Sequence, residues 1–228
     1  MYILAIDTSS TTVGAAIANE EGLIGQIELA AGRQASETLL PLCNNLFTLC
    51  GLTLHEIDAL AVTTGPGSFT GLRIGLATAK AWAQVLLKPL VAVSTLEALA
   101  LGAYERGHLI CPILNARRGE LYAALFAERK RLLPDMLITP SALAERLAKY
   151  ERPLIFCGEG LIEAKEQLTA LLPTKILLAP PQRQSFLAAS TALLGKDKYS
   201  AGELADPLLL EPAYLRLAAA EEERLGCR

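Results

Sequence analysis

Gly65-Pro66-Gly67-Ser68-Phe69-Thr70-Gly71-Leu72-Arg73-Ile74-Gly75-Leu76-Ala77-Thr78-Ala79-Lys80 follows the apolar run from Ala59 to Val62 and opens into a helical pattern. Strand, glycine-rich turn and helix in that order aim backbone N–H groups at whatever sits over the turn. The segment therefore has two readings: an anion cradle, or a place where two backbones come close. It is not a Walker loop, because Gly71 is followed by Leu72 and Arg73 where Lys and Ser or Thr would stand. Ser68 does not sit in a G-x-S-x-G elbow either. Gly71, Gly75 and Ala79 recur every four residues and leave a bare stripe on one helical face. A glycine inside a helix costs roughly 1 kcal/mol relative to alanine, so two of them call for a packing reason. The stripe packs either within its own lobe or against a helix of another chain.

Outward from this segment, residues 2–7, 13–18 and 23–29 read as three strands joined by short polar turns, an antiparallel meander. Residues 36–50 carry apolar positions at helical spacing, and Leu40 and Leu49 lie off the main stripe. Residues 59–64 and 90–93 read as strands, 68–86 as a long helix, and Ser94 with Glu97 as the opening of another. A second block follows: strands at 109–114, 121–127, 154–157 and 175–178, helices opening at Pro140, after Gly160 and at Ser185, and an apolar extended stretch at 205–211. The halves look alike. The expectation is an α/β protein of two related lobes, residues 1–105, completed by part of 205–228, and residues 106–204.

The 228 residues suffice for two small lobes with real cores. Apolar residues make up 52%, yet no apolar run reaches the length of a membrane span. No basic stretch opens the chain and Asp7 comes too early for a signal peptide, so a cytoplasmic protein is expected. Cys43, Cys50, Cys111, Cys157 and Cys227 form no Cys-x-x-Cys pair, which argues against a zinc site or a disulfide framework. A net charge of −3 argues against free-standing tRNA binding. Arg117-Arg118 and Arg129-Lys130-Arg131 read as solvated surface. High apolar content without a span leaves one further expectation, a surface covered by a partner protein.

Three patches stand together: Ile3-Leu4-Ala5-Ile6-Asp7-Thr8-Ser9, the Gly65–Lys80 segment, and Asn115-Ala116-Arg117-Arg118-Gly119-Glu120-Leu121-Tyr122. Pro212-Ala213-Tyr214-Leu215-Arg216 is a weaker fourth. Their order and spacing closely resemble the TsaB (also called YeaZ) family of bacterial tRNA threonylcarbamoyladenosine biosynthesis, from residue 1 to about residue 216. The resemblance implies an actin-like, Hsp70-like, sugar-kinase-like (ASKHA) fold of two RNase H-like lobes. It implies a non-catalytic subunit required for threonylcarbamoyl transfer to adenosine 37 of tRNAs reading codons that begin with A. Such a subunit binds the catalytic paralogue TsaD and, with it, the ATPase TsaE, forms homodimers in isolation, and meets tRNA only through the complex. In that family the two long helices of the first lobe form the partner surface, which places Leu39, Leu42, Leu46, Gly75, Ala79 and Trp82 there. Replacing Ala79 by Arg is then expected to abolish partner binding and leave the fold intact.

Asp7 and Thr8 follow the first strand, where kinases of the superfamily hold phosphate and metal. The plainer reading, side chains that cap turn N–H groups, is the one favoured. Nucleotide or anion contact, if made, falls to Asp7, Thr8, Gly67, Ser68, Arg117 and Arg118, with ATP or ADP at the interface shared with TsaD. The second-lobe turn of the family usually begins with Asp; here it is Asn115, which weakens an ATP-dependent kinase reading. The catalytic paralogue's His-x-x-x-His pair is matched by Ala35 and Leu39, so no metal is expected. A protease would need an assembled nucleophile, and no hydrolase triad is legible.

Overall fold

Side-chain size alternates along the first strands, and this alternation sets how the layers stack. In the computed structural model, which describes residues 1–30, 34–173, 176–180 and 187–216, β1 (Ile3–Asp7), β2 (Val13–Asn19) and β3 (Gly22–Leu29) form an antiparallel meander. β4 (Ala59–Gly65) and β5 (Leu90–Ser94) add in parallel, giving the order β3-β2-β1-β4-β5. One face of this sheet carries Leu4, Ile6, Ile17, Leu60 and Val62 and packs on α1 (Ala35–Cys50) and α2 (Phe69–Leu86). The other face is mostly alanine, with Ala5, Ala16, Ala18, Ala59 and Ala61. It receives α6 (Leu187–Ser200) at close range: a Cβ on Gly195 would lie 2.5 Å from the Cβ of Ala61.

The second sheet repeats the plan. β6 (Leu109–Asn115), β7 (Leu121–Ala127) and β8 (Lys130–Ile138) are antiparallel, β9 (Leu154–Cys157) and β10 (Ile176–Leu178) add in parallel, and the order is β10-β9-β6-β7-β8. Its outer face buries α4 (Pro140–Ala148) and α5 (Leu161–Leu171). Its inner face meets α3 (Thr95–Gly102) and α6. Five layers result: α1 and α2, first sheet, α3 and α6, second sheet, α4 and α5. The fold is the actin-like, sugar-kinase-like pair of lobes.

Three expectations change or sharpen. α6 lies in the sequence range assigned to the second lobe, yet its small residues fit the alanine face of the first sheet and complete that lobe. Arg129, Lys130 and Arg131 are exposed, as expected of solvated surface; what the sequence does not announce is that Lys130 opens β8, an edge strand where charge and Pro134 are tolerated. Residues 205–211, expected to be extended, are so only at their start. One bridge joins Ala205 to Leu90, and a turn closed by Leu210 N donating to Asp206 O (2.9 Å) follows. Both sheets are covered on both faces, and this absorbs much of the apolar content that had suggested a covered surface.

Candidate functional site

Four turns, those after β1, β4, β6 and β9, gather where the lobes face each other: Ser68 N meets Ser9 O, Gly160 N meets Ile113 O, and Thr11 Oγ1 reaches Glu159 across the cleft between them. The first is held by Asp7, which is 1% exposed. Its Oδ1 accepts from Ser9 Oγ (2.6 Å), Ser9 N (3.2 Å) and Thr63 Oγ1 (2.6 Å), and Oδ2 is buried without a partner. Burial pushes the carboxyl above its ordinary range, opposed by these hydrogen bonds. Thr8 Oγ1 donates to Gly71 O at 2.6 Å. Asp7 and Thr8 thus fasten β1 to β4 and to α2.

The glycines of the signature are spaces for backbone. A Cβ on Gly67 would lie 2.2 Å from Ser9 O, one on Gly71 1.9 Å from Thr8 O, and one on Gly75 2.4 Å from Thr8 Oγ1. Ser68 N donates to Ser9 O at 2.7 Å, and Ser68 Oγ caps α2 by accepting Gly71 N at 3.2 Å. The Ser68 amide that an anion cradle would use is already engaged, so the close-approach reading prevails for Gly67 and Ser68.

The partner-surface residues also shift. Leu39 is 1% exposed, Leu42 and Leu46 2% and Ala79 0%; they pack into the core beneath α1 and α2, and Trp82 lies partly buried against it. Burying a leucine contributes about 2 kcal/mol, so these side chains are committed inward. Gly75 faces Thr8 and Val62. The bare stripe serves the lobe itself, because the β1–β2 turn sits on it. The outward face of the two helices carries Leu40, Leu49, Ala77, Ala81 and Val85 instead, with Val85 81% exposed.

Across the cleft, Asn115 Oδ1 accepts Arg117 N (2.6 Å) and its Nδ2 donates to Glu163 (2.5 Å). Arg117, Arg118 and Gly119 are left-handed in succession, at φ 63°, 55° and 76°, and expose both arginines on the turn. Ser9 links Asp7 to Gly67 and Ser68, and Thr8 meets Gly71; the two arginines belong to the opposite wall. The turn after β9 docks like the signature turn: Gly160 N donates to Ile113 O at 3.1 Å, and a Cβ on Gly158 would lie 2.3 Å from that oxygen.

Two carboxylates escaped the sequence reading. Glu28 on β3 accepts Ala188 N at 2.8 Å, at the first turn of α6. Burial pushes its carboxyl to about 7, with the hydrogen bond opposing and Asp7 adding to the rise. Glu159 accepts from Thr11 Oγ1 at 3.4 Å across the cleft, and burial raises it as well. Only tertiary packing brings them near Asp7, so no local pattern announces them. Among the described residues no three His, Cys, Asp or Glu side chains gather to hold a metal ion. The structure places Ala35 and Leu39, the positions matching the histidine pair, in the core under α1. Among the described residues no helix is long and apolar enough to cross a membrane.

Comparison with known proteins agrees with this geometry. A family model described as "TsaD: tRNA N6-adenosine threonylcarbamoyltransferase" matches residues 11–221. The tRNA threonylcarbamoyladenosine biosynthesis protein TsaB of Bacillus subtilis is 36% identical over 225 residues, covering 97% of this chain and 96% of that protein. A Pseudomonas aeruginosa protein described as similar to peptidase YeaZ superposes with a TM-score of 0.80 at 26% identity, covering 94% of this chain and 99% of that one. The ROK hexokinase of Thermus thermophilus, at 10% identity and a TM-score of 0.52 over 86% of this chain and 100% of its own, shares the fold alone. A two-lobed fold of this topology, a glycine signature docked on the first turn and near full-length similarity to TsaB together show that the chain belongs to the TsaB (YeaZ) family of tRNA threonylcarbamoyladenosine biosynthesis proteins.

Proposed function

We propose that the chain is a non-catalytic scaffold subunit for threonylcarbamoyl transfer to adenosine 37 of tRNAs reading codons that begin with A. It binds a TsaD-type catalytic subunit and, through that complex, TsaE, and pairs with itself when isolated. One observation carries this reading: one oxygen of Asp7, the Thr8 hydroxyl and the Ser68 amide, which chemistry in the cleft would draw on, are engaged in holding it together. Asp7 Oδ1 fastens Ser9 and Thr63, the Ser68 amide is given to Ser9, and the second turn presents Asn115 where a carboxylate would assist phosphoryl transfer. ATP or ADP, if used, then lies at the interface with the partner. This chain contributes basic groups such as Arg117 and Arg118 there.

The docking face is the outward side of α1 and α2, around Leu40, Ala81 and Val85. Ala79→Arg is not the right probe, because a charge forced into a fully buried position unfolds the lobe. Ala81→Arg keeps the thermal midpoint and abolishes co-elution with TsaD. The decisive assay compares tRNA modification by TsaD with and without this chain. Full-rate modification without it overturns the reading, and a variant that still co-elutes overturns the surface assignment.

A further inference from the structure

We propose that residues 205–216 form a clasp that ties the two lobes together and sets the width of the cleft, with the first glycine of the signature built to receive it. The segment starts on the edge of the first sheet, where Ala205 N donates to Leu90 O at 2.8 Å. It crosses α2, where Lys80 Nζ donates to Leu210 O at 3.0 Å and Leu210 packs against the core. Ala213 N then donates to Thr64 O at 2.7 Å, at the end of β4. Gly65 stands at φ +117°, and a Cβ there would lie 2.9 Å from Ala213 O. The first glycine of the signature is therefore shaped to this segment, whereas Gly67 and Gly71 are shaped to the β1–β2 turn.

The next residues complete the grip. Tyr214 stacks on Phe69 with centroids 4.8 Å apart and planes at 24°. Arg73 lies over the Phe69 ring at 3.9 Å, and its Nε donates to Tyr214 Oη at 3.0 Å. Two turns of α2 thus supply an aromatic platform and a cation for one tyrosine. Two residues on, Arg216 reaches the opposite lobe, donating to Ala116 O and to the Glu120 carboxylate. Its side chain is 15% exposed and that of Glu120 31%, so the pair is shielded beyond an ordinary surface ion pair.

The ion pair closes on the Asn115–Glu120 turn that carries Arg117 and Arg118. It links the wall bearing those arginines to the N-terminus of α2 through one continuous strip of chain. Release of either end frees both lobes to move apart about α3 and α6. The clasp thereby fixes where the arginine turn stands relative to Asp7 and the glycine signature. It is a conformational device independent of the function proposed above.

Hydrogen exchange on the full chain tests this. Tyr214→Ala and Phe69→Ala alter only the first-lobe grip. Each is expected to speed exchange about tenfold at the Ala116 and Glu120 amides of the second lobe, both hydrogen-bonded within their turn. Arg216→Ala alters only the second-lobe grip and is expected to speed exchange at Ala213 N, while Arg216→Lys does so less. Amides of α4 and α5 stay unchanged and report that each variant is folded. If each substitution changes exchange only on its own side of the cleft, the two ends are uncoupled and the clasp is overturned.

Discussion

The two lobes share one topology and differ in what their turns do. Each begins with a three-stranded meander, adds two parallel strands and docks a glycine turn on the end of its first strand. In the first lobe the docked turn is sealed: Asp7 and Thr8 are buried beneath the glycine signature, and the helices behind them run 16 and 18 residues. In the second lobe the corresponding helices run 9 and 11 residues, and the first turn stands exposed in a left-handed conformation. One device thus gives two products, a rigid platform and an open arginine-bearing wall. The difference lies in side chains around the turns, since the backbone plan is the same.

Glycine substitutions give the largest test of that contrast. Gly71→Val places atoms against Thr8 O, and backbone cannot yield there; a loss of about 3 kcal/mol or more is expected in urea denaturation. Gly119→Ala, at φ +76° with nothing within 4 Å, meets no neighbour and is expected to lose only about 1 kcal/mol of stability, through the strain of a left-handed alanine. Equal losses would break the distinction between a glycine needed for space and one needed for its dihedral.

The cleft carboxylates give the next effect. The folded values of Glu28 and Glu159 are both raised by burial above the ordinary 4.5. Stability from such a group is complete below the unfolded value and is lost as pH rises through the folded one. For Glu28 the window runs from 4.5 to about 7. Glu28→Gln keeps an acceptor for Ala188 N and should raise the thermal midpoint at pH 8 while leaving it nearly unchanged at pH 4. Glu159→Gln should act in the same direction and more weakly. A pH profile unaltered by Glu28→Gln would refute the assignment. The smallest effect is Arg117→Gly, which relieves a left-handed residue on the exposed turn. Denaturation should place it within about 0.5 kcal/mol of the parent, on the stable side.

Much of the fold was legible because periodicity reports burial. The strands at 3–7, 13–19, 59–65, 109–115 and 121–127 and the helices at 35–50 and 69–86 follow the patterns in the sequence. What was illegible depends on distant chain. Lys130 to Pro134 looks like surface because an edge strand is half surface. α6 runs to Ser200 although Lys196, Asp197 and Lys198 break its apolar pattern. The bare stripe of α2 was visible in the sequence, but a stripe says only that something comes close; the β1–β2 turn proved to be the visitor. Asp7 and Thr8 could be read from one strand end, whereas Glu28, Glu159 and Arg216 join the cleft only through tertiary packing.

The alanine face of the first sheet bears on how the protein emerges during synthesis. Its covering helix begins near residue 187 and the strip over Gly65 arrives at residue 213, while the sheet itself is complete by residue 94. The lobe made first is therefore finished last. Until then the nascent chain carries an uncovered sheet of small apolar side chains, separated from its cover by the whole of the other lobe. Long sequence separation of this kind slows folding and prolongs the exposure of that face.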